Sequence, residues 1–175
     1  AEAAMEAGAD WINDVSGGRR DPAMLPLMAE LGCPVVLMHS RGDSQTMDGL
    51  TDYDDVVLDV LQGLRSRREA ALAAGVQADR IIWDPGLGFA KTQAQNLELL
   101  QHLELLTADG IPLLLGPSRK RFIGAVLDEP QPKGRIWGTA AVVCRCVQAS
   151  VAIVRVHDVK PMVQTIKMFE TVQKK

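Results

Sequence analysis

Five short apolar runs in this chain each end in a cluster of polar or charged residues. Apolar runs that do not alternate with polar residues are typical of strands buried on both faces of a parallel sheet. Enzymes with parallel α/β folds carry their sites at the carboxyl ends of such strands. The runs and their polar exits are Trp11–Ile12 before Asn13–Asp14, Val35–Met38 before His39–Ser40, Ile81–Trp83 before Asp84, Leu113–Gly116 before Ser118–Lys120, and Ile153–Val154 before Arg155–Asp158. The pattern therefore predicts an α/β fold and a site at the strand exits.

Helical segments separate these runs, so that strand and helix alternate strictly within a single domain, residues 1–175. Thr92 and Gln95 have the spacing of a capping box, which predicts a helix that continues past a surface residue, His102, to a stop at Gly110. The other predicted helices cover residues 24–31, about 56–74, 138–151 and 159–169.

The composition excludes several classes of protein. Apolar residues make up 47% of the chain, enough for a sizeable core, and the net charge of −3 without a basic stripe argues against a nucleic-acid partner. No apolar run is long enough to span a membrane, so we expect no membrane partner. Cys33, Cys144 and Cys146 lack metal-ligand spacing and favour reduced thiols. We expect a cytoplasmic protein.

The segment Asp84–Thr92, with the sequence DPGLGFAKT, joins a predicted strand to a predicted helix. A dinucleotide-binding fingerprint would need glycine in place of Lys91, and a phosphate-binding P-loop would need glycine in place of Ala90. The glycines instead favour a sharp turn that leaves Asp84 pointing into a pocket. Its carboxylate would suit a ligand with paired N–H donors, such as an aminopyrimidinone. The alternative is an ordinary turn in which Asp84 caps its own backbone.

Cations and a hydroxyl crowd the next exit, Gly116–Arg121, a composition that binds anions or donates hydrogen bonds to a ring. The alternative is a solvated loop, which we expect for at least one of Arg119 and Arg121. Arg155 and His157 alternate along the last strand and therefore emerge on the same face, as a clamp for a phosphate or diphosphate. A purely structural histidine is the alternative for His157.

Two further exits complete the ring of polar groups. Asn13 can both donate and accept hydrogen bonds, which suits recognition of a heterocycle. Met38 offers a polarizable apolar surface for a flat ring, and filling of the core explains it equally well.

Together these motifs resemble the dihydropteroate synthase family of folate biosynthesis, whose segments occur here in the same order and spacing along essentially the whole chain. The matching segments are NDVSGG at Asn13–Gly18, VVLMHSRG at Val35–Gly42, LTDYDDV at Leu50–Val56, DPGLGFAKT at Asp84–Thr92, GPSRKRFIG at Gly116–Gly124, GTAA at Gly138–Ala141 and RVHDV at Arg155–Val159. The resemblance implies a (β/α)₈ TIM barrel that condenses 6-hydroxymethyl-7,8-dihydropterin diphosphate with para-aminobenzoate. The products are 7,8-dihydropteroate and diphosphate, and sulfonamides compete in this family.

The resemblance assigns the pterin to five positions of this chain. Asp84 and Asn13 would hydrogen-bond the pterin, and Met38 and Gly116 would line its slot. Lys120 would donate to the pterin ring and border the para-aminobenzoate pocket.

The other substrate groups are assigned in the same way. Phe89 and Ser118 would flank para-aminobenzoate. Arg155 and His157 would hold the departing diphosphate, and His157 would protonate it. The resemblance thus implies Lys120, Arg155 and His157 as the catalytic residues.

Not all of the family's pattern is present. The first residues form a predicted helix without a preceding strand, and about five βα units fall short of the eight in a barrel, which needs about 250 residues. We therefore expect an incomplete barrel that lacks the first three strands. In this family those strands bring an Asn for Mg²⁺, an Arg-containing loop and an Asp, so the resemblance implies Mg²⁺ but no metal ligand within this chain. We expect the chain by itself to be inactive.

Two alternatives to the synthase remain open. The chain could be a non-catalytic pterin-binding part, or a methyltetrahydrofolate-dependent methyltransferase of the same superfamily, which handles no diphosphate. Substitution of Arg155 by alanine separates the last alternative from the others. Family members are commonly dimers through their last helices, so the resemblance also implies a homodimer.

Overall fold

The computed structural model describes residues 1–173 and contains five parallel strands. Strands β1, β2 and β3 form one sheet in that order, and β4 pairs with β5 in a second. A parallel bridge between Trp83 and Leu113 joins the two sheets, so neighbours in the sequence are neighbours in space. The strands are β1 (Ile12–Asp14), β2 (Val35–Met38), β3 (Ile81–Asp84), β4 (Leu114–Leu115) and β5 (Ile153–Val154). The α/β prediction is confirmed.

Helices connect successive strands, as the alternating pattern predicts. Thr92 and Gln95 form the expected capping box. Asp55 caps the longest helix, its carboxylate accepting hydrogen bonds from the backbone N–H groups of Val57 and Leu58. The helices are α1 (Glu2–Glu6), α2 (Met24–Leu31), α3 (Val56–Ala73), α4 (Gln93–Gln101), α5 (Leu103–Thr107), α6 (Arg121–Leu127), α7 (Ile136–Gln148) and α8 (Val159–Gln173). Within residues 1–173, no helix has both the length and the apolar character needed to cross a membrane.

The prediction of a single helix between Thr92 and Gly110 is wrong, because the helix breaks at His102 into α4 and α5. A residue of another helix contacts the chain at this break. Arg145 of α7 donates to the carbonyl oxygens of Leu100 (2.9 Å) and Gln101 (2.9 Å) and pairs with Glu104. The break leaves these carbonyls without helical partners, and the guanidinium satisfies them. His102 is exposed, as expected, but at the break rather than in mid-helix.

The two faces of the sheet have different surroundings. One face packs on the helices and contributes Val35, Leu37, Ile81 and Trp83 to the main core. The opposite face carries a small apolar cluster of Val36, Ile82 and Leu114, against which Ile153 packs. Since side chains alternate along a strand, this second face also carries the residues two positions further on, at the carboxyl ends of the strands.

Burial on both faces is confirmed for β2 and β3, where every residue is buried. The prediction of burial on both faces is wrong for the outer strands. Ile153 and Val154 of β5 are only partly buried, and Trp11, directly before β1, is 46% exposed. β1 and β5 each have a strand neighbour on one side only among residues 1–173, so fewer side chains cover them.

Candidate active site

Asp84 lies at the end of β3 and is nearly enclosed, with 5% of its surface exposed. Its Oδ1 atom accepts a hydrogen bond from the backbone N–H of Gly86 (2.8 Å). Burial raises the pKa of the Asp84 carboxyl, while the positive charges of Lys120, Arg155 and Lys91 oppose that shift. One oxygen of Asp84 thus caps the following turn, and the role of the carboxylate in binding a ligand stays a prediction.

The turn after Asp84 approaches the end of β2 very closely. A Cβ atom at Gly86, whose φ is +69°, would lie 1.9 Å from the backbone oxygen of His39. Only glycine fits both this conformation and this contact. Met38, at the end of β2, is buried with its side chain beside Gly86. The sharp turn expected from the glycines is confirmed.

Lys91 is a functional candidate that the sequence motifs did not reveal. Its side chain is buried, and Nζ contacts His39 Nδ1 (3.1 Å) and donates to the carbonyl oxygens of Gly86 (3.1 Å) and Phe89 (3.0 Å). Burial lowers its pKa to about 7, although the nearby Asp84 carboxylate acts in the opposite direction. The only sign of Lys91 in the sequence is its place directly after the glycine-rich turn. Because this segment does not match a phosphate-binding loop, the motif does not indicate its lysine as a functional residue.

His39 shares this enclosed position at the end of β2. Burial, followed by the nearby positive charges of Lys91 and Arg67, lowers the pKa of its imidazole to about 2. Its ring is therefore neutral and its Nδ1 can accept a hydrogen bond from Lys91. The contact between Lys91 and His39 links the exits of β2 and β3.

Lys120 extends over the turn from the loop after β4. Its Nζ lies 4.6 Å from the centre of the Phe89 ring, within the range of a cation–π contact. Burial lowers the pKa of Lys120, and the Asp84 carboxylate opposes that shift. A cavity of about 440 Å³ opens here between Phe89, Lys120 and Phe122.

A second, polar cleft of about 480 Å³ joins the exits of β4 and β5. Gly116 lines it, and a Cβ atom there would lie 3.1 Å from Nη2 of Arg155, so glycine lets the guanidinium rest against the strand end. The expected pairing of Arg155 and His157 on one face is supported, because both side chains line this cleft together with Ser118 and Lys120.

Ser118 contacts His157 directly. Its buried Oγ accepts a hydrogen bond from the backbone N–H of His157 (3.2 Å) and lies 3.0 Å from ring atom Nδ1. The position of Ser118 beside para-aminobenzoate, which the family resemblance implies, stays a prediction.

The other two cations of the loop after β4 are directed away from the cleft or already engaged. Arg119 pairs with Asp158 through two hydrogen bonds, of 2.8 and 3.2 Å. Arg121 is 79% exposed and approaches Asp48 at 3.4 Å on the surface. A solvated position for at least one of these arginines is thus confirmed, and Lys120 remains as the cation that faces Asp84.

Asn13 is the site candidate that lies furthest from this group in the sheet. It sits on β1 opposite Val36 of β2, on the face that carries the site, and its side chain is exposed. Its neighbour Asp14 has a structural role, because its carboxylate accepts hydrogen bonds from the backbone of Ser16 (2.9 Å) and Gly18 (2.6 Å) and closes the turn after β1.

Comparison with known proteins assigns this arrangement to a family. Residues 1–157 match the family model described as pterin binding enzyme. The chain belongs to the pterin-binding enzyme family. Its similarity to individual members of this family extends over almost all of its length.

Among curated relatives, the chain is 48% identical over 168 residues to a dihydropteroate synthase of Synechocystis, and this match covers 96% of the chain and 58% of the relative. It is 44% identical over 175 residues to the dihydropteroate synthase of Bacillus subtilis, covering all of the chain and 59% of the relative. The chain therefore spans slightly less than three fifths of these relatives.

Solved structures show the same relationship. The dihydropteroate synthase of Xanthomonas albilineans with 4-aminobenzoic acid is 41% identical, with a TM-score of 0.93 over 99% of this chain and 61% of that one. The same enzyme in complex with 7,8-dihydropteroate is 40% identical, with a TM-score of 0.91 over 99% and 63% of the two chains. Members of the pterin-binding family thus share the fold of this chain in detail.

Proposed function

We propose that this chain holds the pterin and the diphosphate in a dihydropteroate synthase. The reaction would join 6-hydroxymethyl-7,8-dihydropterin diphosphate to para-aminobenzoate and release diphosphate. The main support for the proposal is that a buried carboxylate, Asp84, lies at the exit of one strand, and Lys120, Arg155 and His157 lie at the exits of the adjacent parallel strands. The similarity to dihydropteroate synthases, some solved with the aminobenzoate or the product, supports it.

The bond that breaks joins the pterin methylene carbon to the diphosphate oxygen, which leaves with the bonding electrons. The bond that forms joins the same carbon to the aniline nitrogen, which then loses a proton. Arg155 and His157, in the polar cleft, would offset the negative charge that grows on the departing diphosphate. The interaction strengthens as the charge develops, so it lowers the barrier rather than merely binding the substrate.

Asp84 and Lys120 would orient the pterin. A buried carboxylate can accept two N–H groups of an aminopyrimidinone edge, and the nearby cations favour its charged form. Lys120 would donate to the ring from above the Phe89 side chain, which would border the aminobenzoate. Met38 and Gly116 would line the pterin slot, Asn13 would contact its far edge, and Ser118 would lie near the aminobenzoate.

We also propose that the five βα units are part of an eight-stranded (β/α)₈ barrel. The support is the order of the strands, in which each neighbour in the sequence is a neighbour in the sheet. A doubly wound sheet would instead reverse its strand order at a switch point.

Magnesium is proposed from the family resemblance as a companion of the diphosphate. The described residues do not form a site for it, because residues 1–173 contain no group of three or more His, Cys, Asp or Glu side chains that could hold a metal ion. Dependence of diphosphate binding on added Mg²⁺ tests this part.

A homodimer is proposed through the last two helices. Trp137 of α7 and Met168 and Val172 of α8 are between 64% and 79% exposed and border an apolar groove of about 710 Å³. A second copy of the chain would cover this surface. Sedimentation of wild type and Trp137→Glu tests it, with a loss of dimer expected in the variant.

A cytoplasmic location is likewise proposed, and the three free cysteines fit a reducing compartment.

The experiment that tests the function separates binding from turnover. We would titrate this chain with pterin and with pyrophosphate plus Mg²⁺ by calorimetry, and then measure diphosphate release that depends on para-aminobenzoate. Asp84→Asn should abolish pterin binding, and Arg155→Ala should weaken pyrophosphate binding. Arg65→Ala, which removes a surface pair with Asp109, is the matched control. Equal pyrophosphate affinity in wild type and Arg155→Ala would contradict the proposal and favour a methyltransferase. Inhibition by sulfonamides is expected wherever turnover is seen.

A further inference from the structure

One hydroxyl group holds His157 at two points. Ser118 Oγ lies 3.2 Å from the backbone nitrogen of His157 and 3.0 Å from its ring atom Nδ1. Ser118 belongs to the loop after β4 and His157 to the exit of β5, so these contacts cross between two loops of the site. The hydroxyl thereby fixes both the backbone and the ring of His157.

The hydrogen bonds available to a hydroxyl indicate which ring nitrogen carries the proton. A serine Oγ has one hydrogen to donate and two lone pairs to accept with. One lone pair accepts the backbone N–H of His157. If Nδ1 also donated to Oγ, the serine hydrogen would have no acceptor within residues 1–173, and Ser118 is only 6% exposed. If Oγ donates to Nδ1 instead, the serine hydrogen and Nδ1 both have partners, which favours the ring form that carries its hydrogen on Nε2.

The polar cleft lies beside His157. His157 lines this cleft with Arg155 and Lys120, and an Nε2–H group there adds a neutral donor beside two cations. Such a donor suits an anion with many oxygen acceptors, and a fixed ring does not have to reorient when the anion binds.

We propose that Ser118 is a positioning residue that holds His157 as the Nε2–H tautomer and directs that donor at an anion in the cleft. The role deepens the proposed function, because the anion would be the diphosphate leaving group. The tautomer itself can be measured without any substrate, so the two proposals can fail separately.

Long-range ¹H–¹⁵N NMR of the imidazole rings provides the direct test. The chain has three histidines, His39, His102 and His157, so the spectrum is simple, and comparison with His157→Gln identifies the signals of His157. In alkaline buffer we expect the His157 ring of the wild type to show its proton on Nε2. Ser118→Ala should give a mixture of tautomers, and Ser118→Thr, which keeps the hydroxyl, should restore the Nε2–H form.

Pyrophosphate affinity provides the second readout. Ser118→Ala should weaken it about twofold to threefold, because only part of the molecules then carry the proton on Nε2 and the apparent affinity falls by that fraction. Ser118→Thr should recover most of that loss, and Ser66→Ala, on the exposed side of α3, should change nothing. A wild-type ring protonated on Nδ1, or an unchanged tautomer in Ser118→Ala, would overturn the positioning role. If wild type does not bind pyrophosphate although the tautomer depends on Ser118, the positioning role stands and the proposed diphosphate site is wrong.

Discussion

Lys91 makes the stability of this protein depend on pH in a way that can be calculated from its burial. Its amino group is enclosed between the exits of β2 and β3, and burial lowers its pKa from 10.5 to about 7. In the unfolded chain the lysine is hydrated and keeps its ordinary pKa. Between these two values the unfolded state binds a proton that the native state does not bind, so unfolding takes up a proton.

The sign and size of the effect follow from this difference. The free energy of unfolding rises with pH wherever the unfolded state binds more protons, by about 1.4 kcal/mol per pH unit for one proton. The cost of burying the charge is fully present below about pH 7 and disappears as the pH approaches the ordinary pKa of lysine. From pH 7 to about pH 10, Lys91 should therefore raise the free energy of unfolding by roughly 4 kcal/mol.

Substitution by methionine isolates this contribution. Lys91→Met keeps the length of the side chain but cannot take up a proton, so its stability should lack this pH slope. We would measure urea unfolding of wild type and Lys91→Met at a series of pH values and plot the difference, which removes the titration of all other groups. Lys160→Met, at an exposed position of α8, is the matched control and should retain the wild-type slope.

The outcome shows whether the cost of burial or the gain from hydrogen bonding controls the charge of Lys91. Parallel curves for wild type and Lys91→Met would refute the reasoning. In that case the native lysine stays charged, and its contacts with Gly86, Phe89 and His39 outweigh the cost of removing it from water.

Two further substitutions test the turn and the helix that shape the site. Gly86→Ala should lower the free energy of unfolding by about 3 kcal/mol, since it adds a left-handed alanine and a clash with the His39 backbone. Gly110 has a similar φ of +71° but lies in open space, so Gly110→Ala should lower the free energy of unfolding by only about 1 kcal/mol. Equal losses of stability for the two variants in thermal melts would contradict the role of the His39 contact. Asp55→Ala removes the cap of α3 and should lower the free energy of unfolding, measured with urea, by about 1 kcal/mol. Asp54→Ala, at the exposed neighbouring position, should change it little. Equal effects of the two substitutions would mean that the negative charge matters rather than the cap.

Much of the local structure could be predicted because its causes are local. The apolar runs became strands, Thr92 became a helix cap, and the glycines after Asp84 became a tight turn. Each of these features depends on the conformational preferences of residues a few positions apart. The polar exits also predicted the site, because the carboxyl ends of neighbouring parallel strands meet at one edge of the sheet.

Contacts between distant segments could not be predicted in this way. At the break near His102, the free carbonyl of Leu100 accepts a hydrogen bond from Arg145, which is 45 positions away in the sequence. Arg119 appears in the sequence as one of three equivalent cations, and only the folded chain brings Asp158 to it. The choice among the three cations of that loop is therefore a property of the tertiary structure.

The sequence by itself determined the order of the strands and helices, and it identified the residue types gathered at the strand exits. Only the tertiary structure decided what each polar group meets there. It buried Lys91 against His39, turned Arg119 toward Asp158 and placed the Ser118 hydroxyl on His157. The physical reason is that a pKa, an ion pair or a tautomer depends on the solvent and the partner within a few ångströms, and in this protein those partners come from different βα units.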